Sequence, residues 1–342
     1  MSKIFIRGEG AVSPAGWGVA ALREALERGE PLPMKELSRP GRSEPYQIRG
    51  VPAPPQRPGF LAHARLRRTS PIAQYAVAAA LEALGAEVER LQNESLNLGI
   101  VVCAMSGCVN YSRRFYNETL MNPATASPVV FPETVFNAPA SHLGALLGSR
   151  GMNYTLVGDP GTFLQGIALA AQWLMEEQVD GCLVIGAEEM DWLTAETIEI
   201  FASGARVSEG AGALFLGREP RDTAAIELTA VTSPHLFLKD QSRVEAARKA
   251  RAELSFNGRA ELLCDGLQGI QRLDRDEASA WADWPYRRLS VKTLLGEGLM
   301  ASAGWQCVAA VDALRRGQYR GATVSVVGCN EQAIAARFSR LS

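Results

Sequence analysis

The sequence holds six cysteines but no C-x-x-C pair, and it has only three histidines. With so few paired soft ligands a zinc site is not expected, and neither is any other metal or cofactor. No uninterrupted apolar run reaches the ~20 residues that a membrane-spanning helix needs. The opening, MSKIFIRGEGAVSP, lacks the long apolar core of a signal peptide and reads as a strand. A formal net charge of only -2 points to neither a nucleic acid nor a membrane surface as the main partner. The default is a cytoplasmic protein. Its cysteines, Cys103, Cys108, Cys182, Cys264, Cys307 and Cys329, are expected to be reduced core thiols. What is present is ordinary for a globular chain: 47% hydrophobic and 21% charged residues over 342 positions. That is enough for one large domain or two fused, similar halves.

Apolar periodicity predicts alternating strands and helices. Strands are expected at 4–6, 98–103, 154–157, 181–186 and 212–216, and helices at 19–28, 70–84 and 162–175. Residues 131–147 read as a turn that becomes a small-residue helix. The prolines between 31 and 60 mark a surface excursion. The second half repeats this grammar in compressed form, with strands at 226–231, 261–264 and 323–327, the last of the chain, and helices at 243–251 and 298–315. Such alternation implies α/β layers. The two halves are placed at 1–222 and 223–342.

Several segments, in order along the chain, resemble the β-ketoacyl synthases, the condensing enzymes of fatty-acid and polyketide synthesis. GEGAVSPAG at 8–16 resembles their opening turn, and RRTSPIAQYA at 67–76 resembles the entry to their first long buried helix. FPETVFNAPASHLGALLGSRGMNYTL at 131–156 is similar almost throughout. GAEEM at 186–190, SEGAGALFL at 208–216 and SVKTLLGEGLMASAG at 290–304 resemble later motifs. The resemblance implies a thiolase-like, five-layered αβαβα fold with two pseudo-equivalent halves.

It also implies a Cys-His-His triad supported by a lysine, and here this chain departs from the pattern. The thiolate would hold the acyl chain at a helix N-terminus, and the histidines would assist decarboxylation. Aligning NYTLVGDPGTFLQGIALA without gaps puts Pro160, flanked by Asp159 and Gly161, at the cysteine position. Proline offers neither a nucleophile nor a backbone N–H. Asp265 of LLCDGLQGIQRLD and Glu297 of GEGLMASAG take the histidine positions, and Lys292 alone is retained. Two readings stay open: positions that drifted once catalysis was unneeded, or a carboxylate pocket acting on acyl thioesters as a hydrolase or lyase. VGDPGTFL at 157–164 resembles the chain-length factors, homologues that lack the cysteine and pair with an active synthase. In that subgroup glutamine is common where this chain has Pro160.

The expected function is therefore that of a non-condensing partner subunit of an active β-ketoacyl synthase homologue. The further alternative is a homodimer binding an acyl group or acyl carrier protein. A homo- or heterodimer would form through residues 153–157, with Phe136 reaching the partner's pocket. Arg65, Arg67 and Arg68 form a basic cluster fit to dock an acidic acyl carrier protein, or merely a solvated helix start. His142 reads as a packed structural residue. Glu209 and the glycines after it read as a turn without the lysine of a phosphate loop.

Overall fold

The computed structural model describes residues 3–341 except 94, 222–224, 239–240 and 257–259. The boundary placed at 222/223 lies outside the described residues. Ten strands carry the architecture. Those of the first half are β1 (Phe5–Ser13), β2 (Leu98–Ala104), β3 (Asn153–Val157), β4 (Gly181–Glu188) and β5 (Gly210–Gly217). Those of the second are β6 (Ile226–Val231), β7 (Glu261–Asp265), β8 (Arg287–Ser290), β9 (Gly321–Val327) and β10 (Gln332–Arg340). Their spatial order is β8-β7-β9-β10-β6-β1-β5-β4-β2-β3.

The two halves repeat the same pairing rule. β2 runs parallel to β3 and β4, β4 antiparallel to β5, and β5 antiparallel to β1. Likewise β7 runs parallel to β8 and β9, β9 antiparallel to β10, and β10 antiparallel to β6. The halves meet at a narrow seam between β1 and β6, where Phe5 pairs with Glu227 and Ile6 with Ile226.

The helices used below are α1 (Pro71–Leu84), α2 (Val109–Met121), α3 (Ala138–Leu147), α4 (Thr162–Met175), α5 (Arg243–Ala252), α6 (Gln271–Ala280), α7 (Val291–Leu295) and α8 (Met300–Arg315). Strand β2, LGIVVCA, is buried at every position because both of its faces are covered. Val101 and Cys103 face the central layer of α4 and α8, together with Phe163, Trp305 and Val324. Ile100 and Val102 face the outer layer of α1 and α3, with Ile72 and Leu143. On the far side α5 and α6 cover the second sheet through Ala247, Ala250, Ala280 and Trp281. The result is a five-layered αβαβα, thiolase-like fold, as expected.

The structure corrects several local expectations. GEGAVSPAG is largely strand rather than turn, since β1 runs through to Ser13. Its glycines serve close approach: a Cβ on Gly8 would sit 1.9 Å from Ala83 O, and one on Gly10 2.0 Å from Ala79 O. The segment after Glu209 is also strand, and Gly212 lies against Gly304 so that α8 can cross β5. Residues 323–327 are not the last strand. β10 follows, masked in sequence by Arg337, whose charge is buried on Glu261 at 2.7 and 2.9 Å. Helices α2 and α6 escaped periodicity because neither buries an apolar stripe. The buried residue of α2 is Val109, and those of α6 are Glu277 and Ala280.

Candidate functional site

Strand β3 ends in a tight turn that delivers Asp159, Pro160 and Gly161 to the N-terminus of α4. All three are buried. The Asp159 carboxylate accepts from the Gly161 N–H at 3.0 Å, which satisfies a donor otherwise left free at the helix start. It also accepts from the Gln332 Nε2 at 3.1 Å and, at 3.3 Å, from the backbone N–H groups of Glu331 and Gln332. The space in front of α4 is therefore filled from the chain itself. A Cβ on Gly161 would meet Gln332 Cγ at 2.9 Å, and Gln332 also reaches Thr162 Oγ1 at 3.4 Å.

Lys292 and Glu297 form a buried ion pair, with Nζ to Oε2 at 2.7 Å. The Gln268 amide donates to the same oxygen at 3.1 Å, and the Leu299 N–H donates to Oε1 at 2.8 Å. A buried carboxylate with a cation and two further donors is well compensated. Beside this pair lies Cys329. It is exposed, whereas the other five cysteines are buried, so the expectation of six core thiols fails at this position. The chain reverses there between β9 and β10, and a turn cannot be covered on all sides. Burial of the sulfur among its neighbours, together with the charges of Glu297 and Asp159, pushes the Cys329 thiol up to about 12. Only thiolate is strongly nucleophilic, so Cys329 is poorly placed to replace a catalytic cysteine.

Asp265 ends β7 and is engaged by groups other than Lys292. It accepts from Ser290 Oγ at 2.6 Å, and Arg288 lies 3.8 Å from its other oxygen. Glu277 of α6, which sequence reasoning missed, neighbours it. Glu277 accepts from Ser325 Oγ at 2.6 Å and from the Gly266 N–H at 3.1 Å. Burial first, and then the Asp265 charge, raises Glu277 to about 7, and burial likewise raises Asp265. The two behave as a coupled carboxyl pair that resists double ionisation. Nothing in the polar sequence QRLDRDEASA marks Glu277 apart from its neighbours.

The motif GAEEM hides two more buried carboxylates. Glu188 accepts from the N–H groups of Met105 and Ser106, and burial pushes it up to about 8. Glu189 accepts from Ser70 Oγ and from the N–H groups of Ile72 at 3.1 Å and Asn110 at 2.8 Å. Glu189 pins the starts of α1 and α2 to the end of β4, and Glu188 pins the chain that leaves β2. Their spacing beside an apolar strand was the available signal.

A family model described as the N-terminal domain of β-ketoacyl synthases matches residues 2–221. The chain belongs to the β-ketoacyl synthase family. No curated protein matches it. Among solved structures it is similar to the ishigamide ketosynthase/chain length factor, with 19% identity and a TM-score of 0.82, covering 99% of this chain and 100% of that one. It is similar to a β-ketoacyl synthase from Burkholderia phymatum STM815, with 17% identity and a TM-score of 0.83, covering all of both chains. A third is a ketosynthase (ApeO) in complex with its chain length factor (ApeC) from Xenorhabdus doucetiae, with 15% identity and a TM-score of 0.82, covering 99% and 98%. At these identities the likeness establishes the fold.

In this β-ketoacyl synthase family member the outer edge of β3 and the chain around α2 leave many apolar side chains in water. Tyr116, Leu120, Met121, Val129, Phe131, Val135, Phe136, Tyr154 and Val157 are all exposed. Phe136 stands over Gly107, where an added Cβ would lie 2.7 Å from its ring. His142 of α3 bonds to both oxygens of Glu133 at 2.9 Å, which braces the turn before the helix. Arg65, Arg67 and Arg68 are exposed around the buried Leu66. Among the described residues no helix is long and apolar enough to cross a membrane.

Proposed function

We propose that this chain is a non-condensing, chain-length-factor-like subunit that pairs through β3 with an active β-ketoacyl synthase homologue. The observation that carries this reading is the apolar face around β3. Nine large hydrophobic residues between 116 and 157 are exposed among the described residues, and they flank a strand edge with unpaired backbone groups. Proteins cover such edges. The named relatives include ketosynthases found with chain length factors, which supports the choice of partner.

On this reading Pro160, Asp265 and Glu297 stand where the family's Cys-His-His triad would stand, and Lys292 has been kept to balance Glu297. The filled N-terminus of α4 supports a role without an acyl-enzyme. The engagement of Asp159 with Gln332 and of Asp265 with Ser290 weighs against a shared carboxylate site for thioester hydrolysis. Arg65, Arg67 and Arg68 would meet an acidic acyl carrier protein, and the long-range steering they supply weakens with salt.

Co-expression with an intact synthase tests the proposal. A stable 1:1 complex is expected, with condensing activity that requires the partner's cysteine and not this chain's. Incubated alone with acyl-carrier substrates, the chain should gain no covalent acyl mass. An acyl adduct mapped to Cys329, Cys103, Cys108 or Cys264 would overturn the non-condensing reading. A strictly monomeric chain that ignores every synthase offered would overturn the partner reading.

A further inference from the structure

A pair of arginines without an acid lies along the segment that runs beside the backbone of Glu297. The segment 206–209 is threaded between the chain at Arg49 and the chain at Glu297. The Arg49 N–H donates to Val207 O at 2.8 Å, the Ser208 N–H to Glu297 O at 2.9 Å, and the Glu297 N–H to Arg206 O at 2.6 Å. Arg49 is the parallel bridge partner of Ser208, as Val207 is of Glu297. Strand alternation puts Arg206 and Ser208 on the same face as Arg49, with Arg206 on its diagonal. Val207 and Glu209 take the opposite face. There Glu209 accepts from the Val51 and Met190 N–H groups at 3.2 Å.

Arg49 is 7% exposed. Its Nη1 donates to Thr293 O at 3.1 Å, while its buried Nε meets no acceptor. The Ser208 hydroxyl lacks a partner but is fully buried beside Gly298, out of reach of an anion. Arg206 is exposed. Among the described residues no carboxylate bridges either arginine, whereas Arg23, Arg113, Arg315 and Arg337 each have one. Burial, and then the charge of Arg206, holds the Arg49 guanidinium below its ordinary value. Two like charges, one of them buried and incompletely hydrogen-bonded, are costly unless an anion joins them. Two guanidinium forks suit the oxygens of a phosphoryl group, and the fork geometry favours it over a point-like anion.

We propose that Arg49 and Arg206 bind a phosphate oxyanion on the face of this segment opposite the Glu297 side chain. The shared chemistry has two sources, the monoester of a free phosphorylated metabolite or the diester within a tethered arm. The site stands independently of the partner-subunit reading.

The test uses the full chain in phosphate-free buffer at constant ionic strength, so that general screening does not change. Inorganic phosphate is titrated by calorimetry, and melting is followed in parallel. Saturable binding and a rise in melting temperature are expected, with Arg206→Ala weakening binding at least about tenfold. Arg206 is exposed, so its variants should fold. Arg206→Glu supplies the carboxylate that Arg49 lacks. It should raise the melting temperature without phosphate and abolish the response to phosphate. Ethyl phosphate and diethyl phosphate separate the sources: a preference for the monoester indicates a free metabolite, and equal binding of the diester indicates a tethered arm. The proposal falls if the native chain binds no phosphate saturably, if Arg206→Ala binds as well as the native chain, or if Arg206→Glu lowers the melting temperature.

Discussion

The two outer edges of the sheet occupy equivalent places in the two halves, yet they are built oppositely. Strand β3 presents NYTLV, uncharged, with Tyr154 and Val157 exposed. Strand β8 presents RRLS, shorter by one residue, with Arg287 exposed and Arg288 reaching back to Trp281 O and Asp265. The registers match: Cys103 pairs with Leu156 and Ala104 with Val157, while Cys264 pairs with Leu289 and Asp265 with Ser290. One topology therefore gives an apolar strand end in the first half and a hydrogen-bonded acid in the second. An edge with two arginines over four residues is protected against pairing, whereas an uncharged one flanked by exposed aromatics is open to it. The comparison teaches that the fold provides two edges and the side chains choose which one is left open to pairing.

The sharpest way to break the contrast is to place charge on β3. Val157→Arg should weaken dimerisation at least about a hundredfold, because an unpaired charge would be buried at the interface. Sedimentation velocity at micromolar concentration reads this directly. Leu156→Arg should have the same effect, but Leu156 also packs against the central core. Val157→Arg is thus the cleaner probe, and a dimer that survives it would remove β3 from the interface.

The charged interior of the second half can be probed through Lys292. Lys292→Ala strands the buried Glu297 and should cost about 3 kcal/mol in urea unfolding. The double change Lys292→Met with Glu297→Leu should recover most of that loss, since the pair is then replaced by apolar volume. If both variants lose the same amount, the ion pair is not what matters there.

The coupled carboxyls give a pH dependence whose sign is fixed. Glu277 titrates near 7 when folded, against 4.5 ordinarily. Between those values the folded state keeps a proton that the unfolded chain has lost, so stability falls as pH rises from about 4.5 to about 7 and then levels off. Glu188, near 8, adds a decline that extends to slightly higher pH. Glu277→Gln should remove about 3 kcal/mol from this fall, given about 1.4 kcal/mol per pKa unit. Melting curves at pH 5, 6 and 7 would show an unchanged slope if the carboxyl were already ionised.

The smallest expected effect is at the guarded edge. In a Val157→Arg background, Arg287→Val should produce weak, concentration-dependent association that light scattering detects above about 100 µM, because a protecting charge is gone. Complete absence of association would mean that the length of β8, and not its charge, protects it.

Much of the layering was legible from sequence because continuous apolar runs such as LGIVVCA need cover on both faces, and the small-residue helices supply it. The helix 162–175 and the strand 226–231 were readable to the residue. The turn at Asp159 was legible through motif spacing. Glu277 and the β10 strand were not, for one shared reason. Their buried polar groups, Glu277 on Ser325 and Arg337 on Glu261, are satisfied by groups tens of residues away, and periodicity reads only neighbours.

The sequence by itself determined the alternation of strands and helices, the family, and the residue types at the positions of interest, because burial pattern and motif order are local properties. Only the tertiary structure decided that Glu297 faces Lys292 while Asp265 faces Glu277. It alone decided that Gln332 closes the start of α4, and that Arg49 and Arg206 share one face without an acid between them. Each of these facts depends on which chain segments lie side by side, and electrostatic and hydrogen-bond energies act over a few ångströms of space whatever the distance along the chain.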